Sequence, residues 1–101
     1  MRTHVVSGGE GLKLHVRDWG PPEAPALVLI HGWSQHHLCW SRQCESALSE
    51  EFRIVAMDIR GHGQSEAPLD PANYKNGSLW ADDIAAVTAS LSLTSPILAW
   101  W

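Results

Sequence analysis

Apolar residues follow two rhythms along this chain, and the switches between them mark out its elements. In the opening "THVVSGGEGLKLHVRDWG", Thr3–Ser7 is strand-like and "GGEG" is a turn. Leu12, Leu14, Val16 and Asp18 then share one side of a second strand ending at Trp19. Period-two alternation beside a glycine turn predicts a β-hairpin with one face better buried than the other. "GPPEAP", Gly20–Pro25, suits neither a helix nor the inside of a sheet and reads as a connection. The rhythm then changes. "ALVLIHG" from Ala26 and "FRIVAMDI" from Phe52 hold uninterrupted apolar runs, the mark of strands covered on both faces as in a parallel sheet. "SPILAWW" at residues 95–101 is a third such run.

Two segments between these runs carry helical spacing. In "LCWSRQCESALSE", residues 38–50, Leu38, Ser41, Glu45 and Leu48 fall near one face with Trp40, Cys44 and Ala47 beside them, which predicts one helix. In "SLWADDIAAVTASLSL", residues 78–93, Trp80, Ile84, Val87 and Leu91 recur at spacings of 4, 3 and 4 and form one apolar stripe. Ser78 is placed to cap this helix, and Asp82 and Asp83 in its first turns would favour the positive end of its peptide dipoles. The order β-β-β-α-β-α-β predicts an α/β fold in three layers, α/β/α. Its sheet is mostly parallel with an N-terminal antiparallel hairpin, in a single domain over residues 1–101.

Composition narrows the setting more than the fold. A formal net charge of -4, with scattered Lys and Arg, gives no electrostatic footprint for nucleic acid or an anionic membrane. No apolar run is long enough to span a bilayer, and "MRTHVVSGGE" lacks the apolar core of a signal peptide, so the expected compartment is the cytoplasm. Cys39 and Cys44 are five apart in the predicted helix and read as two unpaired thiols in a reducing environment.

Chemistry is expected beyond the carboxyl ends of the parallel strands, where open α/β sheets gather ligands. "HGW", His31–Trp33, leaves the first of them. A glycine there lets the chain turn and present amides, with the Trp33 N–H the natural donor to an oxyanion. On the tripeptide alone an ordinary strand-to-loop turn is the favoured reading, with His31 as a structural hydrogen-bonding residue. "DIRGHGQS", Asp58–Ser65, leaves the second strand and reads as a tight turn, with Asp58 accepting backbone amides and Arg60 paired to a carboxylate. It is no phosphate loop, because no Gly-Lys-Ser/Thr follows, and no dinucleotide fingerprint, because the third glycine is absent. His31, His36, His37, Asp58 and His62 share the rim, but their spacings match no compact zinc pattern, so no metal is expected. Of the tryptophans, Trp80 is expected in the core, Trp40 in the core or at a pocket rim, and Trp33 on a cavity wall or packed. Ser34, Ser41 and Ser65 are poor nucleophile candidates, because no G-x-S-x-G elbow occurs among the 101 residues.

Taken in order, "LVLIHGW", a helix, "FRIVAMDIRGHGQS" and "YKNGSLWADDIAAVTASLSLTSPILAW" resemble the amino-terminal part of an α/β-hydrolase fold enzyme of the haloperoxidase, esterase and epoxide-hydrolase branch. The resemblance implies a hydrolase acting on a small ester or related apolar substrate without a cofactor. His31, Gly32 and Trp33 would belong to the substrate pocket and Trp33 would give one oxyanion-hole amide. Asp58, Arg60, Gly61, His62, Gly63 and Ser65 would form the family's structural turn. The resemblance also implies that the nucleophile elbow follows "ILAW", so that Trp101 would stand just before the nucleophile, with the catalytic acid and histidine further on. Nucleophile, acid and base are then all absent and the chain is expected to be an inactive fragment. Trp100 departs from the pattern, since the elbow needs a small residue there. An edge strand "PILAWW" would be exposed and apolar. The rival reading is a non-catalytic module that binds a partner or a second copy of itself through this strand.

Overall fold

The computed structural model describes residues 1–100; the expectation for Trp101 lies outside them. The two uninterrupted apolar runs pair at the centre of the sheet. Ala26–Ile30 (β3) lies parallel to Arg53–Met57 (β4), with Val28 beside Val55 and Leu29 beside Ala56. The hairpin strands Arg2–Ser7 (β1) and Lys13–Trp19 (β2) are antiparallel, and β2 runs antiparallel to β4. Ile97–Trp100 (β5) joins the far side of β3 in parallel, giving the order β1-β2-β4-β3-β5. Consecutive parallel strands thus lie on opposite sides of β3, a topological switch that opens a crevice beyond its carboxyl end.

Alternation along the central strands feeds two separate cores. Val28, Val55 and Met57 point to one face with Val6, Leu12, Leu14 and Val16, covered by Val87 and Leu91 at the end of the helix Gly77–Ser90 (α3). Leu29, Ile54 and Ala56 point to the other face with Cys44, packed by Trp19, Trp40, Leu48 and Phe52. Every residue of β4 is buried, as a strand covered on both faces requires. The mixed sheet with helices on both faces is the α/β architecture expected.

Four local expectations are corrected. Residues 38–50 do not form one helix: a 3-10 turn at His37–Trp40 leads into Ser41–Cys44 (α1), and Leu48–Glu51 (α2) follows separately. The break falls at Ser46, whose hydroxyl donates to the Gln43 carbonyl and accepts from the Leu48 amide, a local alternative to the helical ladder. α3 is capped by Asn76, which accepts from both the amide and the hydroxyl of Ser78, so Ser78 lies inside the helix. Asp82 and Asp83 consequently sit past the first turn. The buried stripe of α3 is Leu79, Asp83 and Val87, continuing to Leu91, while Trp80 is half-buried beside it and not in the core. β5, by contrast, is the exposed apolar edge strand that was expected, with Ile97, Leu98 and Trp100 exposed.

Candidate functional site

The loops leaving β3 and β4 meet at the crevice, and histidines join them. His31 is buried; its Nδ1–H donates to the Gly32 carbonyl (2.8 Å) and its Nε2 accepts the Ile59 amide (3.1 Å). His62 repeats this from the other loop, with Nδ1–H donating to the Arg60 carbonyl (3.0 Å) and Nε2 accepting the Ser34 amide (3.0 Å). Both rings must therefore carry their single proton on Nδ1. Burial lowers the pKa of His31 and keeps it neutral. The left-handed turn in this segment falls on Ser34 (φ 64), while Gln35 closes it by accepting the Gly32 amide at its side chain and donating its own amide back to the Gly32 carbonyl. Trp33 stands between these two anchored peptides. Among the described residues no acceptor is paired with its amide.

Trp33, Ser34, Gly61, His62 and Tyr74 line a cavity of about 480 Å3. The Trp33 indole is 73% exposed, meets His62 edge-on with centroids 4.9 Å apart, and faces Trp80 at 6.1 Å. Of the three residues expected in the pocket, the structure puts Trp33 on its wall and leaves His31 and Gly32 behind it. Gly61 and His62, expected only in the structural turn, line the cavity as well.

The turn itself is anchored by two buried carboxylates. Asp58 accepts the His37 amide (2.7 Å), the Gln64 amide (3.0 Å) and the Nδ1–H groups of His37 (2.9 Å) and His15 (3.1 Å). Burial alone would raise its pKa, but these bonds outweigh it and hold the carboxyl below its usual range. Gly63 (φ 53) is required beside it, because a Cβ there would collide with the Asp58 carboxylate. Ser65 donates its hydroxyl to the Asp58 carbonyl (2.5 Å) and accepts the His15 amide (2.9 Å). Arg60, fully buried, forms a two-point ion pair with Asp83 (2.7 and 2.8 Å) and also donates to the carbonyls of Asn73 (2.8 Å) and Gly9 (3.2 Å). One side chain so ties the turn to α3 and to the hairpin.

Among the described residues, the group that brings three residues of metal-ligating type together is His15, His37 and Asp58, all buried, not the set read from the sequence. His36 instead accepts the Leu38 amide at the start of the 3-10 turn. The buried trio is tied together by hydrogen bonds between its members and two backbone amides, while the buried Nε2 of His37 has no partner among the described residues. His15, Tyr74 and Asp83 are neighbours of the site that the sequence did not disclose. An aspartate inside an apolar helical stripe was the one available signal for Asp83.

Among the described residues, none of the three serines weighed from the sequence, Ser34, Ser41 and Ser65, has a free base beside it. His62 cannot act as base to Ser34, because its acceptor nitrogen is occupied by the Ser34 amide. The Ser41 hydroxyl is spent on the Leu38 carbonyl and that of Ser65 on Asp58. The arrangement can bind and polarise, with an unpaired amide beside a largely aromatic cavity.

Comparison with known proteins agrees with this architecture. Residues 25–99 match the family described as alpha/beta hydrolase fold. The chain is 36% identical over 92 residues to the bifunctional esterase/perhydrolase DCH of Acinetobacter calcoaceticus, covering 91% of this chain and 32% of that protein. It is 33% identical to the non-heme chloroperoxidase of Streptomyces lividans, covering 92% of this chain and 33% of that one. The esterase RhEst1 from Rhodococcus superposes with a TM-score of 0.88 at 36% identity, covering 97% of this chain and 35% of the other. The epoxide hydrolase VrEH1 from Vigna radiata does so with 0.86 at 32% identity, covering 98% and 31%. The chain thus spans about a third of the length of the relatives it matches. With three quarters of its residues inside the family match, the chain belongs to the α/β-hydrolase fold family.

Proposed function

We propose that these 101 residues form the N-terminal part of a hydrolase for a small ester or related apolar substrate, contributing one oxyanion donor and part of the pocket but no nucleophile. The observation that carries this reading is the Trp33 amide, unpaired among the described residues and held between two anchored peptides at the edge of the 480 Å3 cavity. An amide so fixed costs no reorganisation when negative charge develops on a substrate oxygen. The nucleophile, acid and base would be supplied by the portion of the fold that the relatives have and these residues do not. As a separate chain, it is then catalytically silent. Among the described residues no helix is long and apolar enough to cross a membrane, and a cytoplasmic setting fits two unpaired thiols. Benzenesulfonate, an apolar ring bearing fixed oxyanions, tests the site by NMR. Its addition is expected to shift the Trp33 amide and the indole signals together; an unmoved Trp33 amide overturns the oxyanion role.

A second reading rests on β5. Its outer edge is unpaired among the described residues and carries exposed Ile97, Leu98 and Trp100, so it would pair with a second copy of the chain. Light scattering across a concentration series separates the two. A stable dimer whose β5 amides resist hydrogen exchange supports the self-associating module, and a monomer or an open-ended aggregate removes it.

A further inference from the structure

We propose that His62 is a positioning residue that holds the Trp33–Ser34 peptide only while its imidazole is neutral, with His31 clamping the Gly32 side of Trp33 in either protonation state, so that a proton on His62 loosens the chain just after the oxyanion amide. The mechanistic importance rests on the Trp33 reading above; the latch itself rests on four hydrogen bonds. His62 Nε2 accepts the Ser34 amide and its Nδ1–H is tied to the Arg60 carbonyl. His31 Nδ1–H holds the Gly32 carbonyl and its Nε2 accepts the Ile59 amide. Each ring thus joins backbone from the β3 side of the crevice to backbone from the β4 side.

A second proton has one place to go on either ring, the Nε2 lone pair, which is already taken by a backbone N–H. Protonation therefore replaces a hydrogen bond by two opposed donors: on His62 it frees the Ser34 amide, whereas on His31 it frees the Ile59 amide and leaves the Nδ1–H bond to the Gly32 carbonyl in place. The ring centroids lie 5.3 Å apart, so the second imidazolium would also form against the first. The charged and titratable neighbours do not offset this. The Arg60 guanidinium is committed to Asp83, the Tyr74 hydroxyl to the Pro68 carbonyl, and the Asp58 carboxylate to His15, His37 and two amides. His36 adds further repulsion toward His31, and Asp58 a lesser attraction than His62 repels. Ser34, in the left-handed region, has no regular ladder to hold it once the bond to His62 is lost.

The test is NMR on the 15N-labelled full chain. At about pH 8 long-range correlations should show His62 and His31 protonated on Nδ1 alone, and on acidification the Ser34 amide signal should move in step with the His62 ring signals. In His62→Phe the Ser34 amide should exchange roughly fivefold faster, as loss of one net hydrogen bond predicts. In His62→Gln, whose side-chain carbonyl can replace Nε2, protection should persist and no longer depend on pH. An Nε2–H tautomer, a Ser34 amide that ignores the ring titration, or unchanged exchange in His62→Phe overturns the latch; the first two need no variant to fold. Benzenesulfonate at about pH 8 reports separately on the underlying reading. A silent Trp33 amide with the latch intact removes the oxyanion role while the latch stands.

Discussion

Replacing Asp83 by leucine would leave the Arg60 guanidinium charged, fully buried and without its counter-ion. Arg60 cannot escape by losing its proton, because a guanidinium is too basic to deprotonate near neutral pH even without the Asp83 hydrogen bonds that raise its pKa further in the native chain. Two of its donors would still reach the Asn73 and Gly9 carbonyls, but the two-point contact of 2.7 and 2.8 Å would be gone, as would the Asp83 acceptor of the Gly9 amide (2.8 Å). Breaking a buried pair from one side costs about 3–5 kcal/mol. For a domain of this size each kcal/mol moves Tm by roughly 4–8 °C, so Asp83→Leu should lower Tm by about 12 °C or more. The double variant Arg60→Met, Asp83→Leu removes both charges and fills the space with apolar atoms, and should recover much of the loss. Circular dichroism with urea and heat on the four proteins of the cycle measures this. A single substitution costing less than about 1 kcal/mol, or a double variant no better than the sum of the singles, refutes the reasoning.

Gly63→Ala should destabilise by about 1–3 kcal/mol, since the added methyl meets the Asp58 carboxylate and φ is 53; urea unfolding checks it. Stability should fall in two acid stages, read as urea midpoints against pH. Burial lowers His15 and His31 from the ordinary 6.5, so the unfolded chain binds more protons and stability declines as pH drops through that value. Asp18 and Asp58 follow. Burial would raise both, but hydrogen bonds from Arg2, His4 and Arg53 to the first, and from Gln64 and His37 to the second, hold them below 3.8. Their contribution is complete above that value and is lost as pH falls below it, so a midpoint that rises on acidification contradicts the assignment. Cys44, buried with its thiol pushed up to about 12, should resist iodoacetamide at pH about 8 until the chain unfolds, while exposed Cys39 reacts first; intact mass after limited labelling distinguishes them.

Strand positions were legible because alternation and its absence are local. Val28 and Leu29 point to opposite cores and both are apolar, which is all that a doubly covered strand must show. The broken helix was not legible, since the competition between Ser46 and the helical ladder is decided by two short hydrogen bonds that periodicity does not encode. The stripe on α3 was misplaced by one residue at Trp80 for a related reason. An aspartate counts as polar in any pattern, yet Asp83 is buried because Arg60 arrives from 23 positions earlier to neutralise it. The site shows the same division. Glycines and an aspartate after a strand announced the turn, whereas the joining of the two loops by His31 and His62 depends on tautomers and on a crevice that only the fold assembles.

The central claim is that this chain binds without turning over, and the most direct measurement is hydrolysis of short p-nitrophenyl esters alongside intact-mass detection of fluorophosphonate labelling. The expected result is a rate equal to the buffer blank and no added mass, because among the described residues Ser34, Ser41 and Ser65 have no free base beside them. Turnover that follows the protein through purification, or a covalent adduct on Ser34, Ser41 or Ser65, would contradict it and place a catalytic centre within these residues.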